Sequence, residues 1–172
     1  MDRDGTLTSR SGLTWRRSQI IIHPQIPRLV AFLNKMKIPV IVVTNQAVVA
    51  RGLINEVGVE KLNSHITQKI SDLGGKIDKF YFCPHHPQAN LLAFRRRCSC
   101  RKPNSALFKR AAKDLDLDLS KNFMVGDMIV DIESGRRLSM RTVLLMRGHK
   151  GEDKNIRSNQ ILLPKMWPIL ST

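Results

Sequence analysis

Short β-branched runs alternate along this chain with longer stretches in which apolar residues recur every third or fourth position. Ile26, Leu29, Val30, Leu33 and Met36 follow the helical spacing over residues 24–36, with Pro24 and Pro27 tolerable near a first turn. Ile38 to Val43 is a continuous apolar run, as expected of a buried parallel strand, and it runs out into the polar Thr44-Asn45-Gln46. A helical pattern over residues 54–73 is closed by Gly74-Gly75. Residues 79–82 read as a second strand, and 105–115 as a helix capped by Asn104 or Ser105. A third strand over 122–125, a helix over 130–138 and a fourth strand over 141–146 follow. Strands separated by helices of crossover length predict an α/β fold, a mostly parallel sheet with helices on both faces. The pattern predicts one domain over residues 1–146 and a C-terminal tail over 147–172, polar and basic at first and then apolar with two prolines.

In such sheets ligands bind beyond the carboxyl ends of the strands, so the polar residues at those ends are the candidates for chemistry. Asp2 and Asp4, in Met1-Asp2-Arg3-Asp4-Gly5-Thr6, are two apart and on an extended segment point to one side. One carboxylate can attack phosphorus to give an acyl phosphate, while the other protonates the leaving oxygen and later deprotonates water. A solvated acidic terminus is the alternative. Thr44 ends its strand where a hydroxyl and the next N–H can hold a phosphoryl oxygen, although Thr-Asn is also ordinary turn chemistry. Asp127, just past the third strand with Asp131 four residues on, suits either a hard cation such as Mg²⁺ or a helix cap. Lys102 can neutralise charge developing at a reacting group, or simply lie on the surface. Cys83-Pro84-His85 followed by Cys98-Ser99-Cys100 offers four ligands in two close pairs, a closed tetrahedral Zn²⁺ set. His86 can stand in for His85 in that set, though the Cys-x-His spacing favours His85.

Composition narrows the partners. A net charge of +15 predicts affinity for anions, but nine aromatic residues are few for stacking bases, so a small phosphorylated substrate is favoured over nucleic acid. The longest apolar run is too short to span a bilayer, and no charged-then-apolar leader opens the chain, so a cytoplasmic location without membrane contact is expected. Three cysteines without a leader argue against a disulfide framework and for metal ligation.

Four segments together resemble the motifs of the haloacid dehalogenase (HAD) superfamily phosphatases: Asp2-x-Asp4-Gly5-Thr6, Thr44-Asn45-Gln46, Arg101-Lys102-Pro103 and Gly126-Asp127-x-x-x-Asp131. The Cys83-Pro84-His85-His86-Pro87 and Cys98-Ser99-Cys100 segments are similar to those of the D-glycero-D-manno-heptose 1,7-bisphosphate phosphatases and the related histidinol-phosphate phosphatases. The resemblance implies a Rossmann-like fold with a zinc-binding loop and no large cap domain. It makes Asp2 the nucleophile and Asp4 the general acid/base, with Thr44 and Lys102 on the transferred phosphoryl group. It assigns Mg²⁺ to Asp2, the Asp4 carbonyl and Asp127, Zn²⁺ to Cys83, His85, Cys98 and Cys100, and substrate contacts to Asn45, Arg51 and Arg101. The implied substrate is a heptose bisphosphate and the implied enzyme a monomer. Histidinol phosphate is the alternative substrate, and an anion- or nucleic-acid-binding protein on an impaired phosphatase scaffold is the alternative of another class. The sequence departs from the family in three places. Only Met1 precedes Asp2 where the family has an apolar strand, so a truncated first strand is expected. Ala47-Val48-Val49 replaces a usual Ser-Gly pair, and Met128 stands where the heptose enzymes commonly have a lysine.

Overall fold

A computed structural model of the chain describes residues 1–9 and 12–145, so the proposed tail and Met146 lie outside the described residues. The described elements run α1 (Gln25–Lys35), β1 (Ile41–Asn45), α2 (Ala47–Ala50), α3 (Glu56–Ser71), β2 (Lys79–Cys83), α4 (Ala106–Leu115), β3 (Phe123–Gly126), α5 (Ile129–Arg136) and β4 (Arg141–Leu144). Strand β1 pairs in parallel with β2, with Asn45 level with Cys83, and β3 pairs in parallel with β4, with Gly126 level with Leu144. Every connection is a crossover, as parallel pairing demands.

Alternation along β1 divides the core. Val42 packs with Leu7, Val30, Leu62, Ile66 and Ile70 on the side of α1 and α3. Its neighbour Val43 packs with Tyr81, Leu107, Phe108 and Met124 on the side of α4. Burying each such aliphatic side chain contributes about 1.5–3 kcal/mol, which is why a strand of five residues with apolar groups on both faces holds two layers of helix.

The two strand pairs meet at Met1 and Asp2. The Met1 N–H donates to the Ile41 carbonyl (2.7 Å) and its carbonyl accepts from the Val43 N–H (3.0 Å), while the Asp2 N–H donates to the Val125 carbonyl (2.8 Å). Among the described residues no strand occupies this position; two residues span it.

Several predicted boundaries shift. The first strand starts at Ile41 rather than Ile38, because Pro39 has no N–H to give and the Val40 N–H is taken by the Asp78 carboxylate (2.8 Å). The single helix predicted over 54–73 begins at Glu56, where Asn55 accepts from the Gly58 N–H (2.8 Å), and is preceded by the separate short turn α2. Neither Asn104 nor Ser105 caps α4 with its side chain: the Asn104 amide donates instead to the Cys98 carbonyl (2.7 Å).

Candidate active site

The carboxyl ends of β1 and β3, the chain start and the loop after β2 converge on one cavity of about 340 Å³. Asp2, Asp4, Thr44, Asn45, Arg51, Arg101, Lys102 and Asp131 line it, so these candidates from separate segments share one space, while Asp127 is not among the lining residues.

Its charged centre is built around Lys102. The ammonium is buried, donates to the Val43 carbonyl (2.8 Å), and lies 2.7 Å from Asp2 Oδ1 and 2.6 Å from Asp131 Oδ1. Burial alone would lower its pKa, but Asp2 and Asp131 outweigh that and raise it, so the lysine is held charged. Asp131 moves the unfavourable way, pushed up to about 6 by burial and by Asp2 beside it, with Lys102 pulling in the opposite direction. The two shifts differ because one ammonium faces two carboxylates and cannot compensate both.

Asp127 completes an acidic cluster: Asp2, Asp127 and Asp131 bring carboxylate oxygens within 4.8 Å of one another. Asp2 Oδ1 and Asp131 Oδ1 have no hydrogen-bond partner of acceptable geometry, despite their short approach to Lys102. The backbone makes room for this crowding. Gly5 has φ +90°, and a Cβ there would lie 2.1 Å from Asp127 Oδ2; a Cβ on Gly126 would lie 2.3 Å from Asp131. Excess negative charge, bare oxygens and oxygen-only donors fit a hard divalent cation.

Asp4 takes a different environment. Arg3 Nε and Nη2 hold its two oxygens at 3.1 and 2.9 Å, and Gln46 Nε2 adds a third donor at 2.8 Å. The same Gln46 amide donates to Thr44 Oγ1 (2.9 Å). Asn45 commits both ends of its amide to the Lys102 backbone, at 2.9 and 3.2 Å, and thereby ties the lysine loop to the end of β1.

The thiols and His85 form a separate cluster. Sγ of Cys83, Cys98 and Cys100 and Nδ1 of His85 lie within 4.8 Å of one another, with contacts of 3.1–3.7 Å along its edges. Burial, then Cys100, pushes the Cys83 thiol up, and burial together with Arg96 keeps His85 below its ordinary pKa, a neutral imidazole suited to ligation. These donors fit zinc.

His86 is excluded from that cluster and turns to the cavity instead. Its Nδ1 accepts from the Gln88 N–H (3.1 Å), so the ring proton sits on Nε2. Burial, then Arg101 and Arg51, lowers its pKa, so it is a neutral N–H donor beside two arginines. Arg101 Nη1 donates to the His85 carbonyl (3.0 Å), and no carboxylate among the described residues pairs with either arginine. Sequence reasoning assigned nothing to Arg3 or to a cavity role for His86, and it left Asp131 out of the metal set.

The chain is similar to known phosphatases in sequence and in fold. Residues 99–163 match the HAD-hydrolase-like family model. The chain is 33% identical over 150 residues to the D-glycero-beta-D-manno-heptose-1,7-bisphosphate 7-phosphatase of Escherichia coli, covering 87% of this chain and 79% of that protein. It belongs to that phosphatase family. A heptose 1,7-bisphosphate phosphatase of Chlorobaculum tepidum is 29% identical over 158 residues, covering 88% of this chain and 79% of its own. The crystal structure of D,D-heptose 1,7-bisphosphate phosphatase from B. bronchiseptica, complexed with magnesium and phosphate, superposes with a TM-score of 0.74 at 26% identity, covering 83% of this chain and 76% of that one. A HAD-like phosphatase from Mesorhizobium loti gives a TM-score of 0.79 at 30% identity over 83% and 69% of the two chains. The α/β HAD fold and the class of phosphoric monoester hydrolase are therefore properties of this family member. No helix among the described residues is long and apolar enough to cross a membrane.

Proposed function

We propose that this phosphatase removes the 7-phosphate of D-glycero-D-manno-heptose 1,7-bisphosphate through an aspartyl-phosphate intermediate. The observation that carries the reading is one cavity holding both an acidic centre around Lys102 and a cationic group, Arg51 and Arg101 with His86 beside them, that has no carboxylate partner among the described residues. A substrate with two phosphates matches both, whereas a singly phosphorylated amino alcohol leaves the arginines unmatched.

An oxygen of the Asp2 carboxylate attacks phosphorus while the bond to the sugar oxygen breaks and Asp4 delivers a proton to that oxygen. Water then attacks the phosphoryl group, Asp4 takes its proton, and Asp2 is released with inorganic phosphate. Lys102 lies against the nucleophile, where its charge offsets that of the incoming phosphoryl oxygens. The Thr44 hydroxyl, fixed by Gln46, and Lys102 hold those oxygens. Mg²⁺ bound by Asp2, Asp127 and the Asp4 carbonyl would supply further neutralisation. Zn²⁺ on Cys83, His85, Cys98 and Cys100 would be structural, since no open ligand position remains. With Nδ1 given to zinc, His85 would carry its proton on Nε2, the atom that the exposed Arg96 approaches at 2.6 Å, so the arginine would have to give up this contact.

Phosphate release from the heptose bisphosphate, hexose bisphosphates and histidinol phosphate, each with and without Mg²⁺, tests the reading. Magnesium-dependent preference for the heptose bisphosphate is expected. Far faster turnover of histidinol phosphate would replace the substrate, and salt-sensitive RNA or DNA binding with no phosphate release would replace the enzyme.

A further inference from the structure

Arg3 separates the two reactive carboxylates in sequence, yet its own side chain is completely buried. A permanently charged guanidinium in the interior is costly unless its donors are satisfied. Four contacts do so: Nε to Asp4 Oδ1 (3.1 Å), Nη2 to Asp4 Oδ2 (2.9 Å), Nη2 to Gln46 Oε1 (2.7 Å) and Nη1 to Asn63 Oδ1 (3.1 Å). Asp4 is the only carboxylate that pairs with it among the described residues. The Arg3 carbonyl also accepts from the N–H groups of Leu7 (2.9 Å) and Thr8 (3.0 Å), so its backbone anchors the turn that carries Gly5.

A cation that needed only neutralisation could pair end-on with any anion. Here the planar fork meets both oxygens of one carboxyl group, which fixes its plane as well as its position. The fork is braced from two directions, by Asn63 on α3 and by Gln46 beyond β1. We propose that Arg3 is a positioning residue that sets the plane of the Asp4 carboxyl for proton transfer to the leaving oxygen. The inference rests on the reading of Asp4 as general acid and base. In the first step the Asp2–phosphorus bond forms, the phosphorus–leaving-oxygen bond breaks and the Asp4 proton moves to that oxygen. Asp4 is left as a carboxylate, the acceptor-only form that its surrounding donors complement, until it takes a proton from the attacking water.

The leaving group provides the test. A sugar alkoxide needs a proton to depart, whereas the nitrophenolate of p-nitrophenyl phosphate departs without one. Because kcat/KM covers only the steps through phosphoryl transfer, it isolates the acid role. Asn63→Leu removes the Nη1 brace without touching Asp4, and Arg3→Lys replaces the fork with a single charge. Both variants are expected to lose about tenfold to a hundredfold in kcat/KM on the sugar phosphate, while staying close to the parent chain on p-nitrophenyl phosphate. Equal losses on both substrates, or none on either, would overturn the inference and leave Arg3 a structural ion. If Arg3→Lys fails to fold, Asn63→Leu carries the test alone. Asp4→Asn is the reference: if it lacks the same split, the acid reading of Asp4 falls and the role of Arg3 with it. If Asp4→Asn shows the split and the other two do not, only the inference about Arg3 is lost.

Discussion

The two clusters of metal-ligating side chains are assembled in opposite ways. The thiols and His85 come from one short stretch, Cys83 at the end of β2 and the loop that follows it to Cys100, and their ligand atoms already touch. The carboxylates come from Asp2 at the chain start and from Asp127 and Asp131 around β3, and their gathering requires the whole sheet. A local cluster can form before the fold and shape it, while a gathered one exists only once the fold is complete. The first is therefore suited to stability and the second to chemistry. They are joined in sequence, because Arg101 and Lys102 follow Cys100 directly, so order imposed by the loop is passed to the buried lysine of the cavity.

The largest expected effect attacks the gathered cluster. Asp2→Asn should lower turnover on the order of a thousandfold or more while the thermal transition survives; retained activity would show that Asp2 is not the nucleophile. Disrupting the local cluster should do the reverse. Cys100→Ser, or stripping zinc with a chelator, should lower Tm by roughly 10 °C, with turnover falling through displacement of Lys102. An unchanged Tm in both experiments would leave no structural role for zinc.

A smaller change is expected at the cavity's cationic group. His86→Ala should reduce kcat/KM for the bisphosphate about tenfold, the worth of one hydrogen bond to a charged group, and leave a simple phosphate monoester unaffected. The smallest effect concerns pH. Asp131 in the folded, metal-free chain binds its proton up to about 6, against an ordinary value of 3.8. Between those values the native state holds a proton that the unfolded chain has lost, so its contribution to stability falls as pH rises through the window. Subtracting the Tm–pH curve of Asp131→Asn from that of the parent should isolate this slope, and added Mg²⁺ should stabilise the parent more at pH 7 than at pH 5. Parallel curves would remove Asp131 from the charge balance of the centre.

Legibility in the sequence follows the same division. The thiol cluster was readable because its spacing is local, and β1 because burial on both faces leaves a continuous apolar run at 41–43. The turn α2 has only four residues, too few to establish a period. The α4 cap failed because the Cys98 carbonyl claims the Asn104 amide, a competition invisible to a local rule. Asp2, Asp4, Lys102 and Asp127 were proposed from motifs, but Arg3 was not, since its partners Gln46 and Asn63 lie 43 and 60 residues away and nothing near Arg3 announces them. His86 was seen only as a rival to His85. The Gln88 N–H that fixes its tautomer, and the arginines beside it, appear only once the loop is folded.

The bonds from Met1 and Asp2 to Ile41, Val43 and Val125 give the active site a mechanical part. Asp2, the proposed nucleophile, also belongs to the seam fastening one half-sheet to the other. A ligand that binds Asp2 only in the folded chain therefore stabilises, by mass action, the same folded state that this seam holds together.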